Sequence, residues 1–199
     1  AVFASLFTMM FAFSGAFHAL EKLKSDTHYQ FYTHEKIKAE VFNPNLNKLQ
    51  PFIGNSILNI SIIRINEELF WQVAVKKGER PTLKYYSLNE YKYLEDGDNK
   101  YAQYLATYFS KQNSDKIKRS SFITKFEGEY GFVNKRLPVW KIEYPSNNNE
   151  RFYVETKSGK LSVRIDDSDL AEGYSFAILH KHHFMDWGGK IVRDISTMF

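Results

Sequence analysis

Histidine is the side chain best placed to do chemistry in this chain, because its 199 residues include six histidines and no cysteine. His18 closes a run in which no charged residue occurs until Glu21. An imidazole within an apolar helix needs a partner, which makes it a functional candidate by default. His180, His182 and His183 cluster near the other end. His180 and His183 stand three residues apart and can face one way on a helix. Imidazole is a versatile transition-metal ligand, so the cluster could also take an adventitious divalent ion, but no dedicated metal site is expected. The bland alternatives are a hydrated His18 ring at headgroup level and an ordinary polar helix end at His180–His183. His28 and His34 flank the polar connector Tyr29–Thr33 and read as surface residues.

Other chemistries are poorly served. Without cysteine there is no disulfide scaffold, thiolate metal site or thiol nucleophile. The 27 basic and 23 acidic side chains leave a formal net charge of +4, too balanced for a nucleic-acid arm. No G-x-S-x-G elbow, Walker A loop or G-x-G-x-x-G loop is present, so neither that hydrolase chemistry nor nucleotide binding is expected. Asp166-Asp167-Ser168-Asp169 lacks the alternating ligands, central Gly and closing Glu of a calcium loop. It reads as a helix cap. Lys116-Ile117-Lys118-Arg119 reads as an exposed or edge strand. Trp71 and Trp140 sit at strand spacing and read as core, not as a base-stacking platform.

The elements that must carry these residues differ along the chain. Residues 1–20 are apolar apart from Ser5, Thr8, Ser14 and His18. As a helix they would extend about 30 Å, roughly one hydrocarbon thickness, so a transmembrane helix is expected there. The absence of an initial Met and a basic flank reads as a helix whose upstream part is cut away. A buried core helix and a trimmed signal segment with small residues at Ser14-Gly15-Ala16 are the alternatives. Residues 184–199 combine Trp187, an interfacial anchor, with Ile191, Val192, Ile195, Met198 and Phe199. They read as an amphipathic interfacial helix leading into a second, missing membrane span. On this reading the lipid bilayer is a partner and residues 21–56 are a connector.

The polar centre repeats itself. Leu69–Val75 followed by Lys84-Tyr85-Tyr86 is matched about 70 residues later by Pro138–Tyr144 followed by Arg151–Val154. Both alternate apolar and polar residues as half-buried strands do, with turn-rich gaps between them. Tyr91–Leu94 parallels Lys160–Val163 as a third strand. Asp96-Gly97-Asp98 parallels Asp166–Asp169 as a helix start with acidic charge in the first turn. Helical spacing follows at Tyr101, Leu105, Tyr108 and Phe109, and at Leu170, Tyr174, Ala177 and Ile178. Further strands are expected over Ile57–Ile65 and Ile117–Phe126. The fold class is α+β: two antiparallel-sheet-plus-helix units, 57–113 and 114–183, stacked side by side because one alone would be marginal.

Three stretches carry a family resemblance. Leu137–Ile142, Arg151–Leu161 with its acidic-then-glycine turn, and Tyr174–Phe184 with its Leu179-His180 pair resemble the PepSY-associated transmembrane family of bacterial membrane proteins. Glu155 stands where that family more often has Asp. Leu94–Asp98 and the apolar Phe13–His18 end are also similar. The resemblance implies a bacterial inner-membrane protein with two PepSY-like units in the periplasm. Some members resemble iron-acquisition reductases that carry haem b between histidines and act on ferric siderophores. On that implication His18 is one axial ligand, and His180 or His183 the opposite ligand or part of a second site. The partner would then be a ferric chelate. The other reading is a non-catalytic PepSY binding or regulatory module that meets a protein partner through a groove or sheet edge. Family membership constrains architecture more than chemistry, so enzymatic activity is left open.

Overall fold

The computed structural model describes residues 2–24, 31–33, 37, 45–49, 56–77, 80–145, 148–180 and 183–196. The chain is α+β, and its described residues form four α-helices and two antiparallel sheets. It divides into two compact units. One comprises residues 30–145 and 151–164. The other comprises residues 1–29, 146–150 and 165–199.

The first of these holds both sheets. β1 (Ile57–Ile65), β2 (Glu68–Lys77) and β3 (Arg80–Ser87) form a meander in the order β1-β2-β3. Asn66 takes the left-handed conformation (φ 55°) in the β1–β2 turn, which its short polar side chain tolerates. The period-2 pattern gives this sheet two apolar faces. Trp71, Val73 and Val75 point one way, with Tyr86, Leu88, Tyr91 and Leu49 around them. Phe70, Gln72 and Ala74 point the other way. The second sheet runs β4 (Arg119–Ile123), β5 (Val139–Glu143), β6 (Arg151–Glu155) and β7 (Lys160–Ile165), in that order. The expected third strand of the first repeat, Tyr91–Leu94, is reduced to a single bridge between Tyr86 and Tyr93.

Between the sheets lies α2 (Gly97–Ser110), which packs against strands of both. Its buried residues are Gly97, Tyr101, Ala102, Leu105, Ala106 and Phe109. From Tyr101 onward they cover roughly 140° of the helix at 100° per residue, wider than the stripe one sheet requires. Sequence reasoning expects one covering helix per sheet. Here a single helix is shared, and that wide apolar face is the physical reason. Gly97 permits the approach: a Cβ there would lie 2.7 Å from the Tyr85 Cβ.

The second unit is helical. α1 (Val2–Lys24) packs against α3 (Asp167–Ser175) and the π-helical turn Phe176–His180 that continues it. α3 starts with a reciprocal cap: Asp166 Oδ1 accepts from the Asp169 N–H at 3.0 Å, and Asp169 Oδ2 accepts from the Asp166 N–H at 2.9 Å. The capping role expected of this acidic run is therefore observed. A short 3₁₀ turn, His183–Gly188, leads into α4 (Gly189–Ser196).

The helix expected over residues 1–20 forms, but its expected role as a membrane span is not supported. Among the described residues, no helix is long and apolar enough to cross a membrane. Ser14 is only 2% exposed, so one side of α1 is a protein-packing face. The opposite side presents Leu6, Met9, Phe13, Leu20 and Leu23 to the surface, with Met9 70% and Leu23 83% exposed.

Candidate functional site

Of the sequence-derived ligands, the structure describes one side chain fully. His18 lies on α1, and its Nδ1 meets the Glu172 carboxylate of α3. A carboxylate on Nδ1 fixes the ring and its tautomer and leaves Nε2 as the outward atom, the arrangement that commonly orients a metal-binding imidazole. The ring is about half exposed. His180 closes the π-helical turn that packs on α1, and His183 opens the 3₁₀ turn. The side chains of both lie outside the described residues, as do His28, His34 and His182. Haem b therefore finds one fitting residue, His18 oriented by Glu172. Among the described residues, no group of three or more His, Asp or Glu is placed to hold a metal ion.

The two-sheet unit contains a second constellation. Asp98, in the first turn of α2, is half-buried. Its Oδ1 accepts from the Tyr85 hydroxyl at 2.7 Å, and its Oδ2 accepts from the Trp140 indole N–H at 2.7 Å. One carboxylate thus joins β3 of the first sheet to β5 of the second through the shared helix. The network continues inward: Gln72 Nε2 donates to Tyr85 Oη and to the Thr156 carbonyl, both at 2.9 Å. Gln72 is a buried amide in the middle of β2, and both its N–H groups are engaged, as a buried amide requires. Burial pushes the Tyr85 phenol well above its ordinary pKa, and the adjacent Asp98 charge and hydrogen bond push it further. Tyr85 is therefore a proton donor to Asp98 across the physiological range.

Asp98 also lines a cavity of about 620 Å³. Its walls are the first residues of β3 (Pro81, Thr82, Leu83), the end of β4 with Phe122 and Thr124, Leu137 and Pro138 before β5, and Glu155, Thr156 and Lys157 at the end of β6. In an antiparallel sheet the end of β4, the start of β5 and the end of β6 fall together, so the cavity opens at one end of the second sheet. Phe122 stacks at a tilt on Trp140, ring centroids 5.1 Å apart. Glu155 is already engaged by Arg136 at 2.8 Å and by the Ser158 hydroxyl.

The other face of the second sheet carries a compact charge cluster. Glu129 receives Tyr153 Oη at 2.7 Å, Lys141 Nζ at 2.8 Å and Arg151 Nε at 3.1 Å. Lys141 also reaches Glu143 at 2.8 Å. Burial alone would raise the Glu129 pKa. The hydrogen bonds from Lys141 and Tyr153, with the charges of Lys141 and Arg151, outweigh it and hold the carboxyl below the ordinary range. These ion pairs tie Lys141, Glu143 and Arg151 of neighbouring strands to one another and to Glu129, so the cluster is read as structural.

Sequence reasoning missed the Asp98 site because Asp98 looked like first-turn helix charge and Trp140 like plain core. The available signal was the duplication itself, which sets aromatic strand residues of both repeats around one acidic helix start. By fold and site, the chain is an α+β protein whose two antiparallel sheets share one helix and enclose a carboxylate-lined cavity. No protein-family model, curated protein or solved structure matches it.

Proposed function

We propose that this chain is a non-catalytic binding module held at a membrane. The observation that carries the binding role is the cavity at the end of the second sheet, whose volume lies within the range of small-ligand sites. Its wall sets Pro81, Leu83, Phe122, Leu137 and Pro138 beside the charged groups of Asp98, Glu155 and Lys157, and a site that mixes apolar surface with a few polar groups suits a small ligand. The apolar stripe Leu6, Met9, Phe13, Leu20 and Leu23 supports a lipid bilayer as the surface that holds the helical unit. The family resemblance points to the bacterial inner membrane as that bilayer, with the two PepSY-like units on the periplasmic side. The test is thermal unfolding of the protein in a concentrated periplasmic extract. A saturable stabilisation that is lost in Leu83→Trp, which projects an indole from the cavity wall, is expected. Equal behaviour of the two proteins would refute the binding role.

One observation favours a second reading. His18, oriented by the Glu172 carboxylate on its Nδ1, would hold the iron of haem b through Nε2. The protein would then belong to a haem redox system acting on a ferric chelate. Reduced-minus-oxidised absorbance of the protein purified from haem-replete membranes tests this. The reading requires a Soret and α-band change that disappears in His18→Ala, and it fails if the wild type shows none.

A further inference from the structure

We propose that the cavity recognises an organic cation, a guanidinium group on an apolar stem, and that Asp98 is the residue that binds it. This rests on the binding-module reading and names its ligand class. Asp98 is held by two neutral donors, Tyr85 and Trp140. Among the described residues, no Lys, Arg or His side chain lies within ion-pair distance of it. Two hydrogen bonds from uncharged groups orient the carboxylate without cancelling its charge. Each carboxylate oxygen has two acceptor positions, and Tyr85 and Trp140 take one apiece. One position on each oxygen remains for a forked donor.

The neighbouring acid does not compete for that role, because Glu155 already has Arg136. Leu83, Leu137 and Pro138 supply the apolar wall for a stem. Phe122 lines the cavity beside Trp140, and a planar guanidinium can lie over an aromatic face while forking onto a carboxylate. An alkylammonium offers a point charge and makes less of both features. A volume of about 620 Å³ is far more than one guanidinium fills, so the cation is the anchoring group of something larger. Its source is either a free alkylguanidine or an arginine side chain in an extended peptide. β4 is an edge strand of its sheet, and the first residues of β3 lie ahead of the Tyr85–Ser87 stretch that pairs with Lys92–Leu94, which gives an extended peptide backbone groups to pair with.

The experiment is calorimetric titration of the full chain with butylguanidinium, with its neutral isostere butylurea, and with the blocked tripeptide Ala-Arg-Ala. Butylguanidinium is expected to bind saturably, and butylurea at least about tenfold more weakly, the scale of one charge-assisted contact. Asp98→Asn is expected to lose the preference. Because Asp98→Asn also disturbs the Tyr85 and Trp140 bonds, Thr82→Lys serves as the second variant. It places an ammonium in the cavity from an exposed strand residue and leaves Asp98, Tyr85 and Trp140 intact. It is expected to unfold at the wild-type temperature and to lose butylguanidinium binding. A tripeptide that binds tighter than butylguanidinium assigns a peptide source, and equal affinity assigns a free guanidine. Equal binding of butylurea and butylguanidinium, unchanged in Asp98→Asn, overturns the cation assignment while leaving the cavity a binding site. Absence of binding by all three probes overturns it as well, and the extract experiment with Leu83→Trp then decides the binding role separately.

Discussion

Replacing Tyr85 by Phe removes one oxygen atom and nothing else, at a position where that oxygen links three elements. The Tyr85 side chain is only 1% exposed. Its hydroxyl donates to Asp98 at 2.7 Å and accepts from Gln72 at 2.9 Å. The ring would stay in place against Tyr101, so packing loss is small. A hydrogen bond to a charged acceptor contributes about 1.5–3 kcal/mol and a neutral one about 0.5–1.5 kcal/mol. Gln72 keeps its bond to the Thr156 carbonyl and Asp98 keeps Trp140, so neither partner is fully orphaned. The expected destabilisation is therefore about 2–4 kcal/mol, lowering the urea midpoint by about 1–2 M. Circular dichroism during urea unfolding reads it directly. Trp140→Phe in the same protein and the double variant complete a cycle. Because both donors serve one carboxylate, their losses should not add. A Tyr85→Phe loss below about 0.5 kcal/mol, or strict additivity with Trp140→Phe, would refute the view that Asp98 joins the two sheets.

Three further outcomes are expected. Gly97→Ala should destabilise by about 1–3 kcal/mol in thermal unfolding, because the new Cβ would meet Tyr85 side-chain carbons at 2.7–2.8 Å; an unchanged melting temperature would contradict the close approach of α2 to β3. Glu129 has a folded-state pKa below its unfolded value, so its stabilising contribution is present above the ordinary carboxylate range and is lost as pH falls through the folded value. Urea unfolding from pH 7 to pH 3 should therefore show a steeper loss in the wild type than in Glu129→Gln, and parallel profiles would count against the cluster. Met9→Asp with Phe13→Asp should abolish co-sedimentation with anionic lipid vesicles while leaving the melting temperature within a few degrees, since both residues are exposed; retained sedimentation would argue that the stripe does not meet the bilayer.

Much of the fold was legible in local pattern. The alternation in Leu69–Val75 and Pro138–Tyr144 places β2 and β5, and the Asp166–Asp169 run announces the cap that α3 uses. These signals are legible because each depends on residues a few positions apart. What was not legible depends on which surfaces meet. Tyr101, Ala102, Leu105 and Ala106 show that α2 is widely buried, but not that its two sides face different sheets. Asp98 is an acceptor for residues 13 positions before and 42 positions after it, and no local pattern encodes such a meeting. His18 was singled out for an apolar setting that demands a partner, and the structure supplies one in Glu172, 154 residues away. The expected membrane span is not supported among the described residues, and the burial of Ser14 in α1 depends on a packing partner that the local apolar pattern does not encode.

The central claim is that Asp98, Tyr85 and Trp140 form the recognition wall of a ligand cavity. Trp140 reports on it directly, because its indole N–H is bonded to Asp98. The chain has three tryptophans, and two are references: Trp71 is tied to the buried Leu88 carbonyl, and Trp187 is 84% exposed. Nitrogen-15 correlation spectra during butylguanidinium addition should show the Trp140 indole resonance moving to saturation while those of Trp71 and Trp187 stay fixed. A Trp140 resonance that does not move, or a uniform drift of all three, would contradict the account.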